Sequence, residues 1–179
     1  VMIINEREAR KEFMLYAAKE MMLAARTAPK GKGIDIIEIA TLTDEDIDAV
    51  SAEMLRLAEE TGMKFLIRDS ENIQSADAMV VIGTRQAPQG LNCGYCGFAT
   101  CAEKPLPTPC AINSIDVGIA VGSACAKAAD LRVDSRVMFS AGWAVERLGL
   151  LKDFRQCIAI PMSYSSKNPF FDRKPSETK

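Results

Sequence analysis

Four closely spaced cysteines are the residues of this sequence best suited to chemistry. They follow the spacing C-x2-C-x4-C-x8-C, and a glycine stands directly after each of the first two thiols. The four are Cys93, Cys96, Cys101 and Cys110. An iron–sulfur cube needs four thiolates that converge on it, and glycines let backbone N–H groups approach its sulfides. The pattern therefore predicts a [4Fe-4S] cluster held by these side chains.

Two other uses of the same thiols stay open. Structural zinc sites also use four thiolates. Zinc ribbons, however, usually present two C-x2-C pairs, and this stretch contains only one. Disulfides are the third interpretation, although a tight cysteine cluster in a reducing cytosol more often holds metal or does redox chemistry.

The other two cysteines are predicted to be core residues. Cys125 and Cys157 lie inside the apolar runs GSACAKAA and RQCIAIP. A free cysteine in such a run packs as a small hydrophobic residue. We therefore leave both out of the candidate site.

The sequence contains no histidine. This excludes Cys-His nucleophile pairs, the Ser-His-Asp arrangement, two-His zinc sites and imidazole acid–base catalysis. No catalytic acid–base pair can be named from the remaining residues.

Composition limits the partners that this chain can have. Its 179 residues carry 22 basic and 24 acidic side chains, for a formal net charge of −2. Such a balance gives no field that would gather nucleic acid or anionic lipid. No apolar run approaches the roughly 18 residues of a membrane span, and the charged stretch INEREARKE is unlike the core of a signal peptide. We expect a cytoplasmic protein.

Helices and short strands are predicted to alternate along the chain. The first half is expected to hold a long helix from Asn5 to Pro29, a strand over 36–42 and a second helix that Thr43 and Asp46 cap and Gly62 ends. A strand over 64–68, a short helix from Asp69 and a buried strand over 78–85 follow.

After the cysteines, the pattern predicts a buried helix over 112–131, a strand over 136–141, a helix over 143–151 and a last strand over 156–162. This alternation indicates an α/β or α+β domain.

Three resemblances sharpen these expectations. The stretch CGYCGFATC resembles the four-cysteine motif of corrinoid iron–sulfur proteins, and nearly the whole chain resembles uncharacterised bacterial and archaeal "ferredoxin domain-containing" proteins. The chain is also similar to the flavin-dependent nitroreductases. Their likeness rests on LAARTAPKGKGIDIIEIATLTDED, on DVGIAVGSACAKAADLRVDSRVMF and on ERLGLL.

The nitroreductase resemblance implies an α+β layered domain with a mostly antiparallel central sheet flanked by helices. Residues 1–179 would form this single domain, with 86–112 as an inserted ferredoxin-like cysteine loop. The nitroreductase resemblance also implies a homodimer with FMN between the subunits. Residues that would hold the FMN phosphate are Arg26, Lys30, Lys32, Arg173 and Lys174. The alternative interpretation is that these five are solvated surface charges.

Two functional hypotheses follow. In the first, the protein is an electron-transfer protein or oxidoreductase, whose [4Fe-4S] cluster carries single electrons to an unknown redox partner or to FMN. In the second, it is a non-catalytic binding or regulatory dimer, and its four cysteines hold structural zinc.

Overall fold

A computed structural model of the chain describes residues 3–171 and shows helices on both faces of one sheet. The helices are α1 (Glu6–Thr27), α2 (Glu45–Thr61), α3 (Phe65–Ile73), α4 (Ala111–Asp130) and α5 (Phe139–Leu148). The strands are β1 (Ile37–Leu42), β2 (Ala78–Arg85), β3 (Asp134–Ser135) and β4 (Phe154–Ser163), and a short 3-10 turn covers Gly31–Gly33.

The four strands lie in the order β1-β2-β4-β3, and every neighbouring pair is antiparallel. The predicted α+β fold with an antiparallel central sheet is therefore confirmed. The sheet places the last strand of the chain at its centre, beside β2.

A separate apolar core fills each face of the sheet. Along β2, Met79 and Val81 pack with α2, α3 and α5, whereas Val80 and Ile82 pack with α1 and α4. Seven of the eight residues of β2 are buried because both faces of this strand are covered. The continuous apolar run predicted a strand of this kind, and the structure confirms it.

The strand predicted over 64–68 is wrong, because this segment begins α3. Leu66, Asp69, Ser70 and Ile73 are buried and recur at helical spacing, while Phe65 is exposed. Packing of one helical face against α2 therefore outweighs the β-propensity of the apolar residues.

The strand predicted over 136–141 is also wrong. Only Met138 pairs with β4, as an isolated bridge to Ala159, and α5 starts at the next residue. The buried residues of α5 include Ala141, Ala144 and Val145, which share one helical face. The β3 strand lies earlier, over two residues.

The predicted first and second helices and last strand are confirmed, with shifted ends. Asn5 caps α1 through a hydrogen bond from the Arg7 N–H (3.0 Å), as its side chain suggested. Asp44, rather than Thr43, occupies the cap position of α2. Cys110 precedes α4 directly, so this helix begins at Ala111, one residue before the predicted start at 112.

Among residues 3–171, none of the helices combines the length and apolar character needed to cross a bilayer.

Candidate functional site

The four cysteines of the motif line one cavity. It lies between the segment 86–110, which has no helix or strand, and the first turn of α4. Other lining residues include Gln89, Asn92, Lys104 and Ile112. The fold therefore brings together the four side chains that the spacing selected. All four are free thiols.

Local backbone geometry makes the cysteine segment turn tightly. Gly94 and Gly97 have φ values of 74° and 88°, in the left-handed region where a side chain is strained. The Gly97 N–H donates to the Gly94 carbonyl at 2.9 Å, which closes a turn around Cys96. Asn92 Oδ1 accepts from the Cys101 N–H at 2.8 Å and ties the two ends of the turn together.

The thiols become more buried along the motif. Cys93 is exposed, Cys96 and Cys101 are half-buried, and Cys110 is buried with 9% of its surface exposed. The site therefore opens to solvent at Cys93 and closes against α4 at Cys110.

The surroundings of Cys110 bias its sulfur toward a thiolate. Burial raises its pKa, but hydrogen bonds from the backbone amides of Gln89, Asn113 and Ile112 and the ammonium of Lys104 outweigh that effect and lower the pKa overall. A thiolate is the form that binds a metal. The position of Cys110 at a helix start was not anticipated from the sequence.

The two remaining cysteines lie in the cores, as predicted. Cys157 is buried beneath α5, and burial, aided by Glu146, raises its pKa to about 12. Cys125 is half-buried against the α1 and α4 core, and burial raises its pKa as well. Both thiols are held in the neutral form, which disfavours metal binding.

Three of the five candidate phosphate-binding residues lie at the end of α1 or just after it. Each of them, Arg26, Lys30 and Lys32, donates a hydrogen bond within the chain. Arg26 Nη1 contacts Asp35 Oδ2 (2.8 Å) and the Ile37 carbonyl (2.7 Å). Lys30 Nζ donates to carbonyls at the end of α1, including Ala25 (2.8 Å), and burial lowers its pKa. Lys32 Nζ donates a longer hydrogen bond, of 3.2 Å, to a backbone carbonyl. Arg173 and Lys174 lie outside the described residues.

The loop after α1 docks onto α4 and onto the cysteine segment. The Gly31 N–H donates to both carboxylate oxygens of buried Asp116, at 3.0 and 3.1 Å. A side chain at Gly31 would place its Cβ 2.6 Å from Ile112 Cγ2. Lys32 Nζ donates to the Gln89 carbonyl at 3.2 Å. The basic loop and the cysteine segment therefore meet at the start of α4.

Two buried amide side chains beside this junction carry polar atoms without a partner in the described part of the chain. Both polar atoms of the Gln89 side chain and the Oδ1 atom of Asn113 have no hydrogen bond within residues 3–171. Asn113 Nδ2 does donate to the Ala87 carbonyl at 2.8 Å. Gln89, Asn113 and Asp116 were not among the residues predicted from spacing and composition. For Asn113 and Asp116 the available signal was their i, i+3 spacing at the start of α4.

The outer face of α4 borders a shallow apolar groove. Its lining includes Val117, Gly118 and Val121 of α4, together with Val137 and Ile158. A Cβ added at Gly118 would meet no atom of residues 3–171 within 4 Å. The groove begins at Ser114, about 6 Å along the helix from Cys110.

Within residues 3–171, no group of three or more Cys, Asp or Glu side chains is arranged to hold a single metal ion. The four thiols thus share a cavity without forming a coordination shell for one ion. The donor set itself, four sulfurs with one favoured as thiolate, matches what iron–sulfur clusters and zinc require.

Sequence comparison finds a family and a full-length relative. Residues 107–173 match a family described as "uncharacterized protein containing a ferredoxin domain", a match that includes Cys110 but starts after the first three cysteines. An uncharacterized protein of Archaeoglobus fulgidus is 37% identical over 186 residues, which span 98% of this chain and 100% of the relative.

Structural comparison identifies the fold as nitroreductase-like. A nitroreductase with bound FMN from Desulfitobacterium hafniense aligns with a TM-score of 0.60 at 16% identity, covering 92% of this chain and 86% of that one. A nitroreductase with bound FMN from Bacteroides fragilis gives 0.59 at 11% identity, covering 89% and 81%. A putative nitroreductase in complex with FMN from Desulfovibrio desulfuricans gives 0.57 at 14% identity, covering 90% and 80%.

Proposed function

Because this chain belongs to the family of proteins that contain a ferredoxin domain, we propose that it is an iron–sulfur electron-transfer protein of the oxidoreductase class. Its motif cysteines would hold a [4Fe-4S] cluster. The observation that carries this proposal is the single cavity that all four thiols line. When bound, such a cluster accepts and releases single electrons.

The four ligands would contribute differently. Cys110 is the most preorganised, since the start of α4 and Lys104 already favour its thiolate. Cys93, Cys96 and Cys101 lie on the glycine-rich turn, whose backbone can follow the cluster closely because Gly94 and Gly97 carry no side chain. The exposed edge at Cys93 would face the redox partner.

We also propose that the protein binds FMN as a homodimer, with the isoalloxazine ring in the groove along α4. The fold is that of proteins solved with FMN. The groove is apolar, and Gly118 leaves room for a flat ring or a partner helix. Lys32 is the best placed of the three described cations to reach a phosphate, since its one bond is 3.2 Å long.

One anaerobic preparation tests this proposal. Iron, sulfide, zinc and flavin are quantified on the same brown or colourless sample, and electron paramagnetic resonance spectra are recorded after reduction. We expect about four iron and four sulfide per chain. A colourless protein with about one zinc per chain would instead support the structural-zinc dimer.

A further inference from the structure

The buried side chain of Gln89 is the most conspicuous polar group beside the cysteine cavity. Gln89 lines that cavity, only 5% of its surface is exposed, and neither its Nε2 nor its Oε1 has a hydrogen-bond partner among the residues that the structure describes. Buried polar groups in folded proteins are nearly always hydrogen-bonded, so an unpaired buried amide indicates a missing partner.

The backbone of Gln89 fixes where this side chain lies. Its carbonyl accepts from Lys32 Nζ at 3.2 Å, and its amide is one of the groups that favour the Cys110 thiolate. Gln89 is therefore held from one side by the basic loop and from the other by a motif cysteine. The backbone is anchored in this way, and burial confines the Gln89 side chain beside the cavity.

The chemistry of the cavity selects one atom of the amide. Thiolate and sulfide sulfurs accept hydrogen bonds and cannot donate them. Of the two polar atoms of Gln89, only Nε2 can serve a sulfur, because Oε1 is an acceptor. A buried water bridging the amide is the competing explanation, since one water can satisfy several buried polar groups.

Resting on the proposed cluster, we infer that Gln89 Nε2 donates a hydrogen bond to a sulfur of the bound [4Fe-4S] centre, and that this bond raises its reduction potential. Reduction adds negative charge to the cluster, and a donor aimed at sulfur stabilises the more negative state. Removal of the donor therefore disfavours the reduced form.

Redox titration of reconstituted protein, followed by electron paramagnetic resonance, tests this role. Gln89→Met keeps the side-chain length and removes the donor. Gln89→Glu replaces the donor with a further acceptor. We expect Gln89→Met to lower the equilibrium constant for one-electron reduction of the cluster about tenfold, which corresponds to a midpoint potential ~59 mV more negative. The Glu variant should shift the potential in the same direction by at least as much.

Gln86→Met is the matched control. Gln86 lies on the same segment, but it is exposed and contacts the Leu106 carbonyl instead of lining the cysteine cavity. Its substitution should leave the midpoint potential unchanged. Iron content and far-ultraviolet circular dichroism are recorded for each variant, so that a shift is assigned only to folded, cluster-loaded protein.

A second measurement on unmodified protein guards against a variant that fails to fold. Pulsed electron paramagnetic resonance of reduced protein, labelled with ¹⁵N in its glutamine side chains, should show a nitrogen coupling to the cluster.

Wild-type and Gln89 variants with equal potentials and full clusters, or an absent coupling, overturn the assignment alone. Wild-type protein that takes up no cluster overturns the proposed function together with it.

Discussion

The local surroundings of each cysteine bias its thiol toward or away from the form that binds metal. Cys110 lies at the start of α4, where amides and Lys104 lower its pKa, whereas Cys125 lies half-buried between helices with a raised pKa. Both are cysteines in or beside the same helix. Their environments, rather than the residue type, separate a proposed ligand from a core residue.

Cys110→Ser should therefore abolish stable metal binding, while Cys125→Ser should not. Loss of a group that merely orients a metal ligand often costs about 10–100-fold in affinity, and loss of a ligand should cost no less. Iron and sulfide per chain after anaerobic reconstitution measure the effect. Equal loading of the two variants would remove Cys110 from the ligand set.

Thiol reactivity in metal-free protein gives an independent check. Cys157 is buried with a pKa of about 12, so at pH 8 only about one molecule in 10,000 carries its thiolate. Cys93 is exposed. We expect iodoacetamide to modify Cys93 in minutes and to leave Cys157 intact until the protein unfolds, as read by peptide mass spectrometry. Equal labelling rates in folded protein would contradict the packing of α5 over β4.

The identities of the clustered thiols could be predicted from spacing alone, because a local motif encodes them. Gln89 could not, because it is buried where the loop after α1, tens of residues earlier in the chain, docks on the cysteine segment. Nothing in the local sequence distinguishes buried Gln89 from exposed Gln86.

At the scale of helices and strands, the errors fall where apolar runs are short. Residues 64–68 suit a strand by composition, but a buried face at helical spacing makes them part of α3. By contrast, β2 was predictable because a long uninterrupted apolar run fits a strand with both faces covered. Long elements can therefore be predicted from their own sequence, whereas the type of a short element depends on what it packs against.

The contact between α5 and β4 leads to a prediction at this scale. A Cβ at Gly142 would overlap the Cys157 carbonyl and lie 2.6 Å from its carbon. Gly142→Ala should lower the free energy of unfolding by about 3 kcal/mol, because the obstacle is backbone that cannot rotate away. Urea denaturation monitored by circular dichroism measures the change.

Gly122→Ala is the corresponding control on α4. In the part of the chain that the structure describes, no atom lies within 4 Å of a Cβ built at Gly122. Replacing glycine by alanine inside a helix should raise the stability by about 0.5–1 kcal/mol. A Gly142→Ala protein as stable as wild type would show that α5 packs less closely on β4 than described.

For the molecule as a whole, the groove along α4 is the surface on which the proposed dimer and flavin depend. Gly118→Leu would fill the groove without disturbing the interior of the single chain. We expect this variant to keep its fold but to lose flavin and run as a monomer. Flavin released on heating and light scattering after size-exclusion chromatography measure both effects.

Leu55→Arg provides the comparison, since Leu55 is an exposed apolar residue on α2, on the other side of the sheet. It should keep both its flavin content and its oligomeric state. A dimer that persists in Gly118→Leu and dissociates in Leu55→Arg would move the interface to the opposite face.

The strand order has a consequence for how the protein is made. Because β4 is inserted between β2 and β3, the sheet cannot close until the C-terminal part of the chain has left the ribosome. By then the cysteine segment has already been synthesised. Loading of the proposed cluster would therefore follow the synthesis of β4, and the four thiols would have to stay reduced until then.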